Sequence, residues 1–121
     1  MKIYIAGKIT GNRRYKAQFR ATEEMLQGER HTVLNPADLP EGMKPADYMR
    51  ICFAMLESAD IVFFQSGWEE SAGARLKFDY AKYIGKHIIA MKPDFPDVSD
   101  DTIRTVNEMA EWLRNSPVAI R

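Results

Sequence analysis

The sequence predicts a doubly wound α/β domain: a parallel sheet of four to five strands with helices on both faces. Three observations carry this. Apolar runs of strand length recur along the chain, at Lys2–Gly7, His31–Pro36, Asp60–Gln65 and Lys86–Lys92. Segments with apolar residues at helical spacing separate them. The third run, DIVFFQ, is apolar on both faces, as a strand covered from both sides should be. Parallel strands joined by helices need crossovers, and right-handed crossovers lay helices on both faces.

Each element has its own signal. KIYIAG is an apolar run closed by Gly7 and reads as a buried strand. NRRYKAQFRATEEMLQGE sets Tyr15, Phe19, Thr22 and Leu26 at helical spacing and stops at Gly28. HTVLNP is a short second strand, and LPEGMKP is a loop punctuated by Pro and Gly. PADYMRICFAMLESA is a helix with Pro45 in its first turn, where a missing N–H does no harm. DIVFFQ is the third strand. Ser71 to Ile84 is the next helix, closed by Gly85, and KHIIAMK is the fourth strand. SDDTIRTVNEMAEWLRN is the last helix: Ser99 suits its N-cap, two Asp residues suit the positive end of its dipole, and Ile103, Val106, Ala110 and Leu113 form its stripe. PVAI near the end reads as a short further strand. The whole is a flavodoxin- or Rossmann-like order.

A chain of 121 residues makes one domain around one core, residues 1–121. Lys plus Arg and Asp plus Glu each number 17, so no net charge draws the chain to nucleic acid or to an anionic membrane. The short basic cluster Arg13, Arg14, Lys16 reads as a solvated face. A single cysteine, Cys52, excludes an internal disulfide and a thiolate metal cluster. His31 and His87 are far apart in sequence, and no metal or cofactor is expected. Without a signal peptide or an apolar span, the expectation is a cytoplasmic protein.

Ligands of such sheets bind at the carboxyl ends of strands, at the switch point. That sets the loops AGKITGN and QSGWEESAG side by side. On a helical wheel from Ala74, the residues Ala74, Phe78, Ala81, Ile84 and Gly85 share one arc, and Lys77 falls between Ala81 and Ile84. Arg75, Asp79 and Lys82 point the other way. Lys77 is therefore inward, near a helix N-terminus where its charge has the wrong sign. It reads either as a stem packed on the core with a snorkelling ammonium or as a cation facing the pocket.

Ser71 is the N-cap, and the N–H groups around Ala72 and Gly73 serve either a plain capped helix or an anion or sugar hydroxyl. GKITG is too short for a Walker loop, yet Gly7 and Gly11 permit close approach to the backbone, and Lys8 and Thr10 suit a phosphate. On the helix Ala46–Ser58, Cys52 is central to the arc of Tyr48, Ile51, Met55 and Leu56 and reads as a buried, inert thiol. Met49 and Phe53 extend the apolar surface beyond that stripe and suggest a subunit interface.

KIYIAGKITG, LESADIVFF and GWEESAGARLKFDYAKYIGKHI together resemble the nucleoside 2-deoxyribosyltransferase-like superfamily, most of all its small bacterial and phage branch. The resemblance covers most of Met1 to Ala90, and the run Gly67–Ala74, with Trp68, is its most specific part. GKITGN is similar to the loop with which the 2′-deoxynucleoside 5′-phosphate N-glycosidases of that superfamily hold a monophosphate.

The resemblance implies roles residue by residue. The position of the superfamily's nucleophilic glutamate, four before Ala81, is held by Lys77. An aspartate that contacts the base falls on Cys52, and an aspartate ahead of the nucleophile falls on Ser71. Tyr4 matches the aromatic of the opening strand. An ammonium is not a nucleophile and would repel a developing oxocarbenium ion.

The reading that follows is a protein that binds a nucleoside phosphate or related anion through Tyr4, Gly7, Lys8, Thr10, Gly11, Cys52, Gly67, Trp68, Ser71, Gly73 and Lys77, its N-glycosidic chemistry lost or altered. One alternative is an active N-glycosidase or deoxyribosyltransferase using a displaced carboxylate, Glu69 or Glu70; Asp79 points away. Another is an oligomeric interaction protein with a vestigial pocket. The superfamily's habit of completing its site from a neighbouring subunit, together with Met49 and Phe53, implies a homo-oligomer built on a dimer.

Overall fold

Alternation along the two central strands divides the core. A computed structural model describes residues 1–28, 30–92 and 100–115, with the side chains of 100–103 and 112–115 outside that description. In β1 (Lys2–Ala6) and β3 (Ile61–Phe64), Ile3, Ile5, Ile61 and Phe63 point to one face, and Tyr4, Ala6, Val62 and Phe64 to the other. All eight are fully buried, which only a sheet covered on both sides permits.

The sheet has four parallel strands in the order β2-β1-β3-β4, with β2 at Thr32–Leu34 and β4 at His87–Ala90. Helix α1 (Tyr15–Gln27) joins β1 to β2 and lays Phe19 and Leu26 on the Ile3/Ile5 face, where α4 (Asp100–Asn115) adds Val106 and Ala110. Helices α2 (Pro45–Ser58) and α3 (Ala72–Tyr83) cover the opposite face through Cys52, Leu56 and Ala81. This is the doubly wound arrangement expected from the sequence, and β1 and β3 flank its switch point. The expectations for Ser99 and PVAI lie outside the described residues, as do the side chains of Ile103 and Leu113.

Local chemistry ends the elements where the pattern placed them, with three differences. Pro45 begins α2, and Lys86 Nζ donates to the carbonyls of Glu57 (2.7 Å) and Ala59 (2.6 Å), closing that helix with a cation. Gly28 follows α1 in a right-handed conformation (φ −56°), so it ends the helix without the left-handed turn. Ile84 is 37% exposed instead of inward, because the backbone has already left helical geometry there (ψ 4°) and Gly85 turns left-handed at φ 78°. The loop between β3 and α3 also contains a single 3-10 turn, Trp68–Glu70.

Candidate functional site at the ends of β1 and β3

The loops after β1 and β3 are tied together across the switch point. Lys8 Nζ lies 3.4 Å from Glu70 Oε1. Asn12 donates to Gln18 Oε1 (2.9 Å), and Gln18 donates onward to the Ser66 carbonyl (3.0 Å). Gly7 is required by contact: a Cβ there would stand 2.7 Å from Gln65 Cγ and 2.8 Å from its Nε2. Gly67 is required by conformation, since its φ of 89° starts the 3-10 turn. Thr10 and Gly11 lie exposed at the tip of the first loop.

The second loop is anchored before it reaches α3. Trp68 donates Nε1–H to the Met91 carbonyl (2.9 Å) and stacks on Phe78 at 4.8 Å, so its ring packs the loop down. Ser71 Oγ accepts from Ala74 N (3.2 Å), the N-cap the sequence called for. A Cβ on Gly73 would make only ordinary contact with Ser71 Oγ, at 3.8 Å, so that position does not demand glycine sterically. Of the alternative carboxylates, Glu70 is 69% exposed and paired with Lys8. Glu69 is half-buried, and its carbonyl accepts from Arg75 (2.6 Å).

Tyr4 of β1, Cys52 of α2 and Lys77 of α3 converge beneath these loops. Lys77 is only 6% exposed, with its ammonium 5.8 Å from the centre of the Tyr4 ring. No ion pair joins Lys77 to another described residue. Burial pulls its pKa below the usual lysine value, and the neighbouring Cys52 thiol only partly opposes this. The Tyr4 hydroxyl is held well above its ordinary pKa, mainly by burial and then by Cys52. Cys52 adjoins both groups, yet the Tyr4 hydroxyl has no hydrogen bond of proper geometry with a described residue. The result is a largely desolvated amine, an unpartnered phenol and a thiol in one niche. None of the three is a carboxylate.

Sequence reasoning missed Gln65. It is 1% exposed at the end of β3; its Oε1 accepts from Thr22 (2.9 Å), while Nε2 is buried without a partner among the described residues. The signal was present as one amide closing an otherwise apolar run. Also unforeseen is a cavity of about 350 Å³ beyond the end of β2, between α1 and the segment Asn35–Glu41, and bordered by Lys16, Arg20, Glu23 and Asp38. It stands apart from Lys77. Among the described residues no cluster of His, Cys, Asp and Glu has the makings of a metal site, and no helix is long and apolar enough to cross a membrane.

Neither a curated protein nor a solved structure matches the chain significantly. One family model does match it, over residues 1–90, from β1 to the end of β4 and so including every residue of the niche. The chain thus belongs to the family described as a domain of unknown function, DUF4406.

Proposed function

We propose that this chain is a nucleoside 2-deoxyribosyltransferase-like protein that binds a nucleoside phosphate or related phosphate ester, without the superfamily's glycosyl-ester chemistry. The observation that carries this reading is the buried Lys77, which makes no ion pair with a described residue and lies below the capped start of α3. An incoming anion would give the desolvated ammonium the charged partner that no described residue supplies. Lys8, in the loop after β1, and the N–H groups of the first turn of α3, after β3, both lie at the carboxyl end of the sheet and suit a phosphate.

Titration calorimetry with deoxynucleoside 5′-monophosphates and their parent nucleosides tests this. The monophosphates should bind more tightly. Lys77→Met should weaken them by roughly ten- to a hundred-fold, the worth of one charge-assisted hydrogen bond of about 1.5–3 kcal/mol. Equal affinity of the parent and Lys77→Met for every nucleotide would remove the main support. The displaced-carboxylate reading draws on Glu70 lying beside Lys8 in the loops at the carboxyl end of the sheet. Free base released from a deoxynucleotide by the parent, and lost in Glu70→Gln or Glu69→Gln, would favour it instead.

A further inference from the structure

Lys77 has the surroundings of an amine that reacts as well as binds. It is 6% exposed and has no ion pair among the described residues. Beside it stands a fully buried phenol, Tyr4, whose hydroxyl adjoins the Cys52 thiol but makes no hydrogen bond of proper geometry with a described residue. A buried donor is seldom left unpartnered, and one that is calls for an explanation. A carbonyl oxygen entering the niche would satisfy it.

We propose that Lys77 adds to the carbonyl carbon of a small phosphorylated aldehyde, such as an open-chain sugar phosphate, and forms an imine with it. The Nζ lone pair attacks the carbonyl carbon, a C–N bond forms, and the C=O electrons move to oxygen, which takes up a proton as nitrogen gives one up. The resulting carbinolamine then loses its hydroxyl, with a second nitrogen proton, as water while the C=N bond forms. Amine and aldehyde become imine and water, with no oxidant or reductant. The Tyr4 hydroxyl, protonated at neutral pH, is positioned to hydrogen-bond the carbonyl oxygen and polarise it. Desolvation favours the free-base form of Lys77 that the first step requires.

This inference rests on the reading above for where the phosphate sits, beside Lys8 and the start of α3. It adds a second role for Lys77. Protonated, the side chain holds an anion; as the free base, it adds to a carbonyl. A nucleoside monophosphate that occupies the site should therefore protect Lys77 from the aldehyde.

The test is reductive trapping. The protein is incubated with 2-deoxyribose 5-phosphate, reduced with cyanoborohydride, digested and mapped by mass spectrometry. Of the eight lysines in the chain, Lys77 should carry the adduct preferentially. Lys77→Arg should abolish that adduct, Lys82→Arg should leave it, and Tyr4→Phe should slow its formation. Adduct spread over the exposed lysines, with Lys77 modified no more than they are, would overturn the inference even if Lys77→Arg proved unstable, because the parent protein alone supplies that readout. Nucleotide binding without a Lys77 adduct overturns the inference and leaves the proposed function standing. A Lys77 adduct in a protein that binds no nucleotide supports the amine chemistry and removes the nucleotide.

Discussion

Replacing Lys77 with methionine should stabilise the unliganded protein, and the reason lies in the packing around one side chain. At 6% exposure Lys77 has lost most of its hydration, and no ion pair with a described residue restores it. What it gains is the Cys52 thiol beside it and the face of the Tyr4 ring at 5.8 Å, the latter an attraction on the order of 0.5–2 kcal/mol. An uncompensated buried charge costs about 3–5 kcal/mol, so desolvation outweighs the ring. Methionine keeps much of the stem and sets a thioether against the same ring, a contact of about 0.3–1.5 kcal/mol that offsets part of the loss. The net gain expected is on the order of a few kcal/mol in unfolding free energy, read from urea titrations of parent and variant.

The pH dependence of the difference is the sharper measurement. Burial lowers the pKa of Lys77 in the folded state below its unfolded value. Between those two values the unfolded chain binds more protons than the folded one, so the stability of the parent rises with pH across that window. Below the folded pKa the penalty is fully present, and above the unfolded pKa it is gone. Lys77→Met lacks this rise, so the two stabilities should converge as pH increases from neutral into the alkaline range. A variant less stable than the parent at neutral pH, with a gap that does not narrow on raising pH, would refute the claim that the ammonium is uncompensated.

Four further outcomes are expected. Gly7→Ala should destabilise by about 1–3 kcal/mol through the clash with Gln65, and adding Gln65→Ala should recover part of that, a coupling that denaturation of the double variant reads directly. Ser71→Ala should lose about 1 kcal/mol with the N-cap of α3, whereas Ser71→Asp should fold nearly as well as the parent when compared by thermal melting. Cys52, 4% exposed, should react with a thiol reagent far more slowly in the native protein than in denaturant, and rapid stoichiometric labelling would contradict its packed position. Light scattering at micromolar concentration should report a dimer or a multiple of one. In the fold Phe53 meets Tyr80 edge-on at 5.0 Å, while Leu76 and Tyr83 of α3 are 52% and 88% exposed, so Tyr83→Asp is the variant to compare; a monomeric parent would end the oligomer expectation.

What the sequence determined by itself is what short-range physics controls. β1 and β3 announce themselves because a strand buried on both faces must be apolar throughout. The cap at Ser71 is legible because its oxygen reaches an N–H three residues on, and the stop at Gly85 because only glycine turns left-handed without strain. The order of such elements then leaves few topologies, and the loops after β1 and β3 meet as the doubly wound order requires. The inward side of Lys77 also follows from helical period alone.

The contents of the niche were decided by tertiary structure. Tyr4, Cys52 and Lys77 come from three elements, and no local pattern states that a phenol, a thiol and an amine will share one space. The amine's lowered pKa depends on how completely the assembled helices and sheet exclude water. Gln65 is in place because Thr22, 43 residues away, accounts for its oxygen and Gly7 yields it room. Lys8 meets Glu70 across 62 residues, which turns one of the alternative carboxylates into a partner of the loop lysine. Ile84 escaped the wheel because an ideal period presumes that the helix continues, and the backbone stops short of it. Contacts of this range exist only once the chain has closed on itself, so desolvation and pairing, the two quantities that set a site's chemistry, become defined only in the folded molecule.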